Sequence, residues 1–436
     1  MNFIVFFTDQ QRWDTMGLHG NPMGLTPHLD RLARQGTFFR EAVTPQPVCG
    51  PARSCIQTGQ YATTTGVWRN GIGLKPDARN LGELFSEAGY HTAYIGKWHL
   101  SENTGKAAVP AENRRGYAEW LGANCPELVS GPYSARFWDS ENDPIDLPGY
   151  RSDAQADAAI RFINKMNDSE KPYFLFLSFL EPHHQNADDN YPAPHRMETI
   201  YHGNWLPPDL QALSGSSAKD WAGYCAMVKR LDDSLGRVMD ALESTGQAEE
   251  TVVVFFSDHG CHFKTRNAEY KRSPHESSVR IPLAFWGPKW NGGGEHGCPA
   301  SLVDVAASLL DTAGIAIPDF MEGNSLLPVT RGERGHLPEE SFIQFGDVNM
   351  PPGRAIRTER WKYAVSAPAE YTDQGHAAVY QELCLYDLQT DPYELRNLIS
   401  NAARSGIREQ LRSRLIKRMQ ASGEQDFTII TTDNSM

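Results

Sequence analysis

An α/β fold is predicted, with a large, mostly parallel sheet sandwiched by helices and a smaller C-terminal antiparallel α+β subdomain. Three features of the chain point to it. Continuous apolar runs of strand length recur without polar alternation, as strands covered on both faces require. Segments with helical start and stop signals lie between those runs. Past about residue 340 the pattern changes to short strand candidates at close spacing, which suits an antiparallel sheet. The 436 residues exceed one compact core and fit a catalytic-sized unit of residues 1–335 followed by a smaller unit of residues 336–436.

The first apolar run, residues 3–7, leads at once into Asp9-Gln10-Gln11-Arg12. Thr26-Pro27 then opens a helix with a cap and a first-turn proline, Leu29, Leu32 and Ala33 form its apolar stripe, and Gly36 closes it. Pro51 suits the first position of a short helix that Gly59 can end, so Cys49 falls at a helix N-terminus with Arg53 one turn behind. Asn80 with Glu83 forms a capping-box start for a helix carrying Leu81, Leu84, Phe85 and Ala88 before Gly89. The run at residues 91–95 leads into Gly96-Lys97-Trp98-His99, and the run at 173–180 into Glu181-Pro182-His183-His184. A long helix from about residue 220 to 244 carries Trp221, Tyr224, Val228, Leu231, Leu235, Val238 and Leu242 at helical spacing. The run at 251–256 leads into Asp258-His259-Gly260. A polar stretch at 331–340 reads as a linker. Short strands follow at 341–345, 354–357, 361–365 and 383–388, then a helix with Ile407, Leu411, Leu415, Ile416 and Met419.

Ligands of open α/β sheets bind beyond the carboxyl ends of the strands, where four of these runs end in residues able to bind metal or move protons. Asp9 and Asp258 are hard oxygen donors, Gln10 offers an amide oxygen and His259 a nitrogen, a set able to hold one divalent cation. Lys97 and His99 lie two apart and share a side in an extended segment. Arg53, Lys97, His99, His183 and Lys271 can together make one positive pocket on a chain of net charge −13. That acidity argues against nucleic acid or an anionic membrane as partner, though not against a small anionic substrate.

The string C-x-P-x-R-x-x-x-x-T-G, from Cys49 to Gly59, resembles the signature of the sulfatase family. The resemblance extends to Gly96-Lys97-Trp98-His99, to Lys271 ahead of Val279-Arg280-Ile281-Pro282, and to the stretch from Leu385-Tyr386-Asp387 to Asn397-Leu398. It implies an alkaline phosphatase-like fold and oxidation of Cys49 to Cα-formylglycine by a maturation enzyme. Hydrated, that aldehyde is a geminal diol with a nucleophilic hydroxyl. It also implies a cation at Asp9, Gln10, Asp258, His259 and modified Cys49. The family's ion is calcium (Ca2+), sometimes magnesium (Mg2+). Many relatives carry a carboxylate in place of Gln10 and asparagine in place of His259, and histidine also suits manganese (Mn2+). Lys97 and Lys271 match the lysines that hold sulfate oxygens, and His183 the histidine near the leaving oxygen, with His99 as the alternative acid. His184, Lys264, His262 and His275 are weaker candidates. The implied reaction is hydrolysis of a sulfate ester. A phosphonate monoester or phosphodiester hydrolase of the same superfamily is the nearest rival, and a catalytically silent binding protein the third reading.

Trp120, Tyr133, Trp138 and Trp205, in the stretches 102–151 and 185–206, are candidates to stack on a sugar or aryl ring, which points to a sulfated saccharide. Seven cysteines without C-x-x-C spacing predict reduced thiols rather than a disulfide framework or zinc site. With no membrane-length apolar run and no basic leader in residues 1–8, a cytoplasmic location is expected.

Overall fold

A computed structural model describes residues 1–102, 106–333 and 338–431. Its larger sheet contains β1 (Asn2–Thr8), β2 (Thr37–Phe39), β3 (His91–Lys97), β4 (Glu119–Ala123), β5 (Ala135–Trp138), β6 (Pro144–Leu147), β7 (Tyr173–Ser178), β8 (Thr251–Ser257), β9 (Leu283–Trp286) and β10 (Gly294–His296). In space the order is β10-β2-β9-β8-β1-β7-β3-β4-β5-β6. The central strands β8, β1, β7, β3 and β4 are parallel, and antiparallel pairing enters toward the edges through β9, β5 and β6.

The apolar runs do bury both faces. Phe3, Val5, Phe7, Phe174, Phe176, Val252 and Val254 pack on one side with the helix Leu302–Ala313. Ile4, Phe6, Leu175, Leu177, Val253 and Phe255 pack on the other, under the helices Pro27–Gln35, Arg151–Met166 and Ser217–Ser244. Successive side chains of a strand point to opposite faces, so only an unbroken apolar sequence serves two cores at once.

Most of the local signals match the elements that form. Asn80 and Glu83 form the reciprocal capping box, and Gly59 ends its helix at φ 68°. Thr26, however, does not cap the helix Pro27–Gln35. Asp232 of the long helix accepts from the His28 and Leu29 N–H groups at 3.1 and 2.8 Å instead. A carboxylate some two hundred positions away fills the role of the local hydroxyl. Trp120 and Trp138 are also reassigned: both are buried, and Trp120 stacks on Tyr94 at 5.0 Å, so they are core rather than substrate-facing residues. Tyr133 is exposed and Trp205 half-buried.

The second sheet holds β11 (Glu340–Phe345), β12 (Gly353–Thr358), β13 (Trp361–Ser366), β14 (Val379–Asp387) and β15 (Thr428–Ile430), antiparallel as far as β14, with β15 added in parallel. Leu411, Leu415 and Met419 of the helix Ser405–Ala421 pack on its Phe342, Ile356 and Tyr363. Of the expected linker, residues 334–337 lie outside the described residues.

A buried ion cluster joins this sheet to the larger one. Glu276 sits 3.0 Å from Arg357 of β12 and 2.7 Å from Lys362 of β13, and Lys362 is 2.8 Å from Glu394. Glu41 pairs with Arg280 at 2.9 Å and also meets Arg357. Three carboxylates and three cations balance, as a dry cluster requires. Replacing Lys362 with methionine leaves Glu276 and Glu394 short of a cation, a loss of about 3 kcal/mol by the cost of breaking buried pairs. The thermal midpoint followed by circular dichroism should fall accordingly. An unchanged midpoint would show that the cluster does not join the sheets.

Candidate active site

The carboxyl ends of β8, β1, β7 and β3 lie side by side and deliver polar residues to one point. Thr8 and Ser257 are paired in register, so Asp9 and Asp258 leave adjacent strands together. Their N–H groups are fixed by Glu181 O and Thr8 O, each at 3.2 Å. Lys97 is the last residue of β3, and His183 follows β7. The helix Cys49–Thr58 aims its first residue at the same point, starting two residues ahead of Pro51. Cys49 is 1% exposed.

Around the Cys49 sulfur stand Lys271 Nζ at 2.9 Å, His259 Nε2 at 3.3 Å and Asp9 Oδ1 at 3.5 Å. Cys49 also lies close enough to His99 and His183 to favour the protonated form of each. Burial raises the thiol pKa, but Lys271, Lys97 and His259 outweigh it and hold Cys49 well below the ordinary thiol range. Cys55, buried six residues further along the same helix without such cations, is pushed up instead.

Arg53, one turn behind Cys49, is turned toward the two strand-end carboxylates. It lies beneath the carboxylates, with Nη2 2.9 Å from Asp9 Oδ2 and 3.5 Å from Asp258 Oδ2. Its Nη1 donates to Lys97 O at 2.7 Å and Ser178 Oγ at 2.8 Å, and its guanidinium covers the Phe7 ring. It is a positioning residue. Lys97 Nζ bridges Asp9 Oδ2 and Glu127 Oε1, each at 2.9 Å.

Asp9 and Asp258 titrate in opposite directions. Burial raises both, but Lys97, His183 and Lys271 keep Asp9 below the usual carboxylate range, whereas burial and the Asp9 charge push Asp258 up to about 7. Asp258 Oδ2 and Gln10 Oε1 are buried with no hydrogen-bonding partner. Gln10 donates through its backbone N–H to Asp258 Oδ1 at 3.0 Å and through its amide to Tyr191 at 2.8 Å. His259 donates from Nδ1 to Gly260 O at 2.9 Å, which leaves the Nε2 lone pair facing Cys49. One ligand atom each from Asp9, Cys49, Asp258 and His259 lies within 4.8 Å of the others. Two crowded carboxylates, an imidazole lone pair and unfilled oxygens are a donor set that fits a divalent cation.

His183 donates from Nδ1 to His184 O at 2.7 Å, and burial and Lys271 depress its pKa. His99 is raised to about 10, the effect of burial being outweighed by Cys125 and Cys49. It follows β3 at φ 57°, out of the extended conformation expected of it. Of the weaker candidates, His262 donates from Nε2 to the Lys271 carbonyl at 3.0 Å and His184 stacks on His183 at 4.3 Å. Lys264 pairs with Asp189, and His275 contacts Ser273 and Tyr386. Glu127 and Asn70, whose Oδ1 accepts the Gly50 N–H at 2.9 Å, were missed, because neither sits in a run or spacing that marks it.

Comparison with known proteins agrees with this architecture. The sulfatase family model matches residues 1–315, and the model of the C-terminal region of N-sulphoglucosamine sulphohydrolase matches residues 268–421. An ulvan-active sulfatase of Formosa agariphila is 29% identical over 97% of this chain and 82% of its own length. An N-acetylglucosamine-6-O-sulfatase of Bacteroides thetaiotaomicron is 24% identical over 92% of this chain and 83% of its own length. A protein solved in complex with its substrate D-glucosamine-2-N,6-O-disulfate shares the fold, with a TM-score of 0.78 at 23% identity over 97% of this chain and 98% of that one.

Removal of Arg53 tests the electrostatics. Arg53→Met takes a cation from Asp9 and Asp258, and in chelator it should destabilise the protein by about 3 kcal/mol near neutral pH. Above the carboxyl pKa values both groups repel as anions, and protonation at lower pH relieves them, so the loss should shrink as pH falls from 8 to 5. Thermal melts at the two pH values would show it. An equal loss at both would mean that charge is not what Arg53 supplies.

Proposed function

The chain belongs to the sulfatase family, whose members are sulfuric ester hydrolases, and from that premise we propose that it hydrolyses a sulfate ester of a saccharide at Cys49 in formylglycine form. The observation that carries the proposal is the convergence of Lys271, His259 and Asp9 on one buried sulfur. That sulfur stands in for a hydroxyl of the hydrated aldehyde. The diol supplies one hydroxyl to attack sulfur and a second whose deprotonation re-forms the aldehyde and releases sulfate. A saccharide substrate is supported by relatives named for ulvan and N-acetylglucosamine sulfates.

Asp9, Asp258 and His259, with the free amide oxygen of Gln10, would hold a divalent cation, calcium first. Bound there, it would act as a Lewis acid toward the nucleophile and the sulfate oxygens. Lys271 orients the nucleophile, and Lys97 balances Asp9 on the far side while Glu127 fixes its position. His183 is the proposed donor to the leaving oxygen. Its Nδ1 proton is committed to the His184 carbonyl, so Nε2 is the atom that carries the transferred proton. An arriving sulfate anion raises the pKa that burial and Lys271 depress. Maturation would need a partner enzyme able to oxidise Cys49 before or during folding, since the folded chain buries it.

Co-expression with a formylglycine-generating enzyme should convert Cys49, as mass spectrometry of its peptide would reveal, and chelation should abolish turnover until calcium is returned. Full activity with an unmodified thiol, or in metal-free protein, would overturn the reading. His183→Ala should cost about a hundredfold more on a sugar sulfate than on 4-nitrophenyl sulfate, whose phenolate leaves unaided, the lower end of the range for a lost general acid. If that leaving-group dependence follows His99→Ala instead, His99 is the acid.

A further inference from the structure

Whatever reaches Cys49 must pass the partly exposed residues around it, among them Asn70, His99 and Arg272. Arg272 follows Lys271, and its positive φ of 71° turns the two side chains apart. Lys271 goes to Cys49, and Arg272 to Asp347 on the loop after β11. Asp347 Oδ1 also accepts the Asn70 N–H at 3.3 Å, and Asn70 accepts from Gly50, next to the nucleophile. Gln46 fixes this rim by donating to Trp68 O and Gly346 O. The second sheet therefore contributes one buried carboxylate to a ring of contacts that closes on Cys49.

The Arg272–Asp347 contact is unfinished. Nε and Oδ2 are 3.0 Å apart, yet they are not aligned as a hydrogen bond, and neither atom has another hydrogen-bonding partner. Asp347 is fully buried, while Arg272 keeps 18% of its side chain exposed. A buried donor and a buried acceptor side by side are completed by a group that both accepts and donates, which a hydroxyl does and a sulfate or carboxylate does not. Charge points the same way. Glu269 lies 3.5 Å from the same guanidinium, so two carboxylates face one cation and disfavour a second anionic substituent.

We infer that Arg272 and Asp347 form a specificity subsite that takes a neutral sugar hydroxyl next to the scissile sulfate. The inference rests on the saccharide reading above. The hydroxyl donates to Asp347 Oδ2 and accepts from Arg272 Nε, and Arg272 shifts at the mouth to admit it.

The test uses the matured, calcium-loaded protein. Hexose monosulfates esterified at O2, O3, O4 or O6 are assayed beside 4-nitrophenyl sulfate, and the sugar turned over is compared with its deoxy analogue lacking the neighbouring hydroxyl. Asp347→Asn and Arg272→Lys, each close in shape to the original, should lower kcat/KM on the sugar by roughly 10- to 100-fold, the worth of a hydrogen bond to a charged group. The loss on 4-nitrophenyl sulfate should be at least tenfold smaller. The wild-type protein should show a similar loss on the deoxy sugar, with little further loss in the variants. Equal losses on sugar and aryl ester would mean that the pair only holds Asn70 and Lys271 in place, and no loss on either that it does not meet substrate. Each result overturns the inference while leaving the saccharide reading intact. A wild-type protein that cleaves the aryl ester and no sugar sulfate overturns both.

Discussion

Two carboxylates, Asp9 and Asp258, are buried at the ends of adjacent parallel strands, and the placement of the surrounding charges follows from that one constraint. Their strands are in register, so the two groups cannot avoid each other. Arg53 meets both from below, Lys97 meets Asp9 from the side, and Lys271 faces Cys49 from above. Burial this complete is tolerable only when opposite charges are within contact distance. The same arrangement lowers the Cys49 pKa, raises Lys97 and leaves Asp258 the odd carboxylate out, near neutrality. A divalent ion would relieve that remaining repulsion, so the donor set and the electrostatics argue for the same occupant.

The second sheet matters to this centre through two connections. The ion cluster of Glu276, Arg357, Lys362 and Glu394 anchors the short helix Glu276–Val279, five residues beyond Lys271. The loop carrying Asp347 reaches Arg272 and Asn70 at the rim. The stretch that follows Lys271 is thus tied at Arg272 and at Glu276 to residues far along the chain. A mutation there would act on Lys271 without touching the nucleophile.

The central strands were legible because burial on both faces demands unbroken apolar runs, and the polar residues after them were legible because open sheets bind ligands there. Asp9, Lys97, His183, Asp258 and His259 all follow from that rule. Cys49 and Lys271 needed the family resemblance, since a lone thiol before a helix and a lone lysine in a loop are ordinary features. Three-residue strands such as β2, β10 and β15 carry too little sequence to declare themselves. Arg53 was placed on the right helix beside the site, but its partners Asp9 and Asp258 were not legible, because i to i+4 spacing fixes a direction and not a partner. Glu127, Asn70 and Asp347 were invisible, each brought in by tertiary packing from a segment with no periodic signal. The aromatic count misled at Trp120 and Trp138, whose rings fill the core.

The central claim is that the buried cluster drives attack by an oxygen at residue 49, and that only the second hydroxyl of a formylglycine hydrate lets the sulfate leave. Cys49→Ser keeps the first oxygen and removes the second. Mixed with an activated aryl sulfate, it should release a single burst of phenol, stop, and carry a sulfate ester on residue 49 by mass spectrometry. Continuous turnover by that variant, or a burst that leaves residue 49 unmodified, would contradict the account.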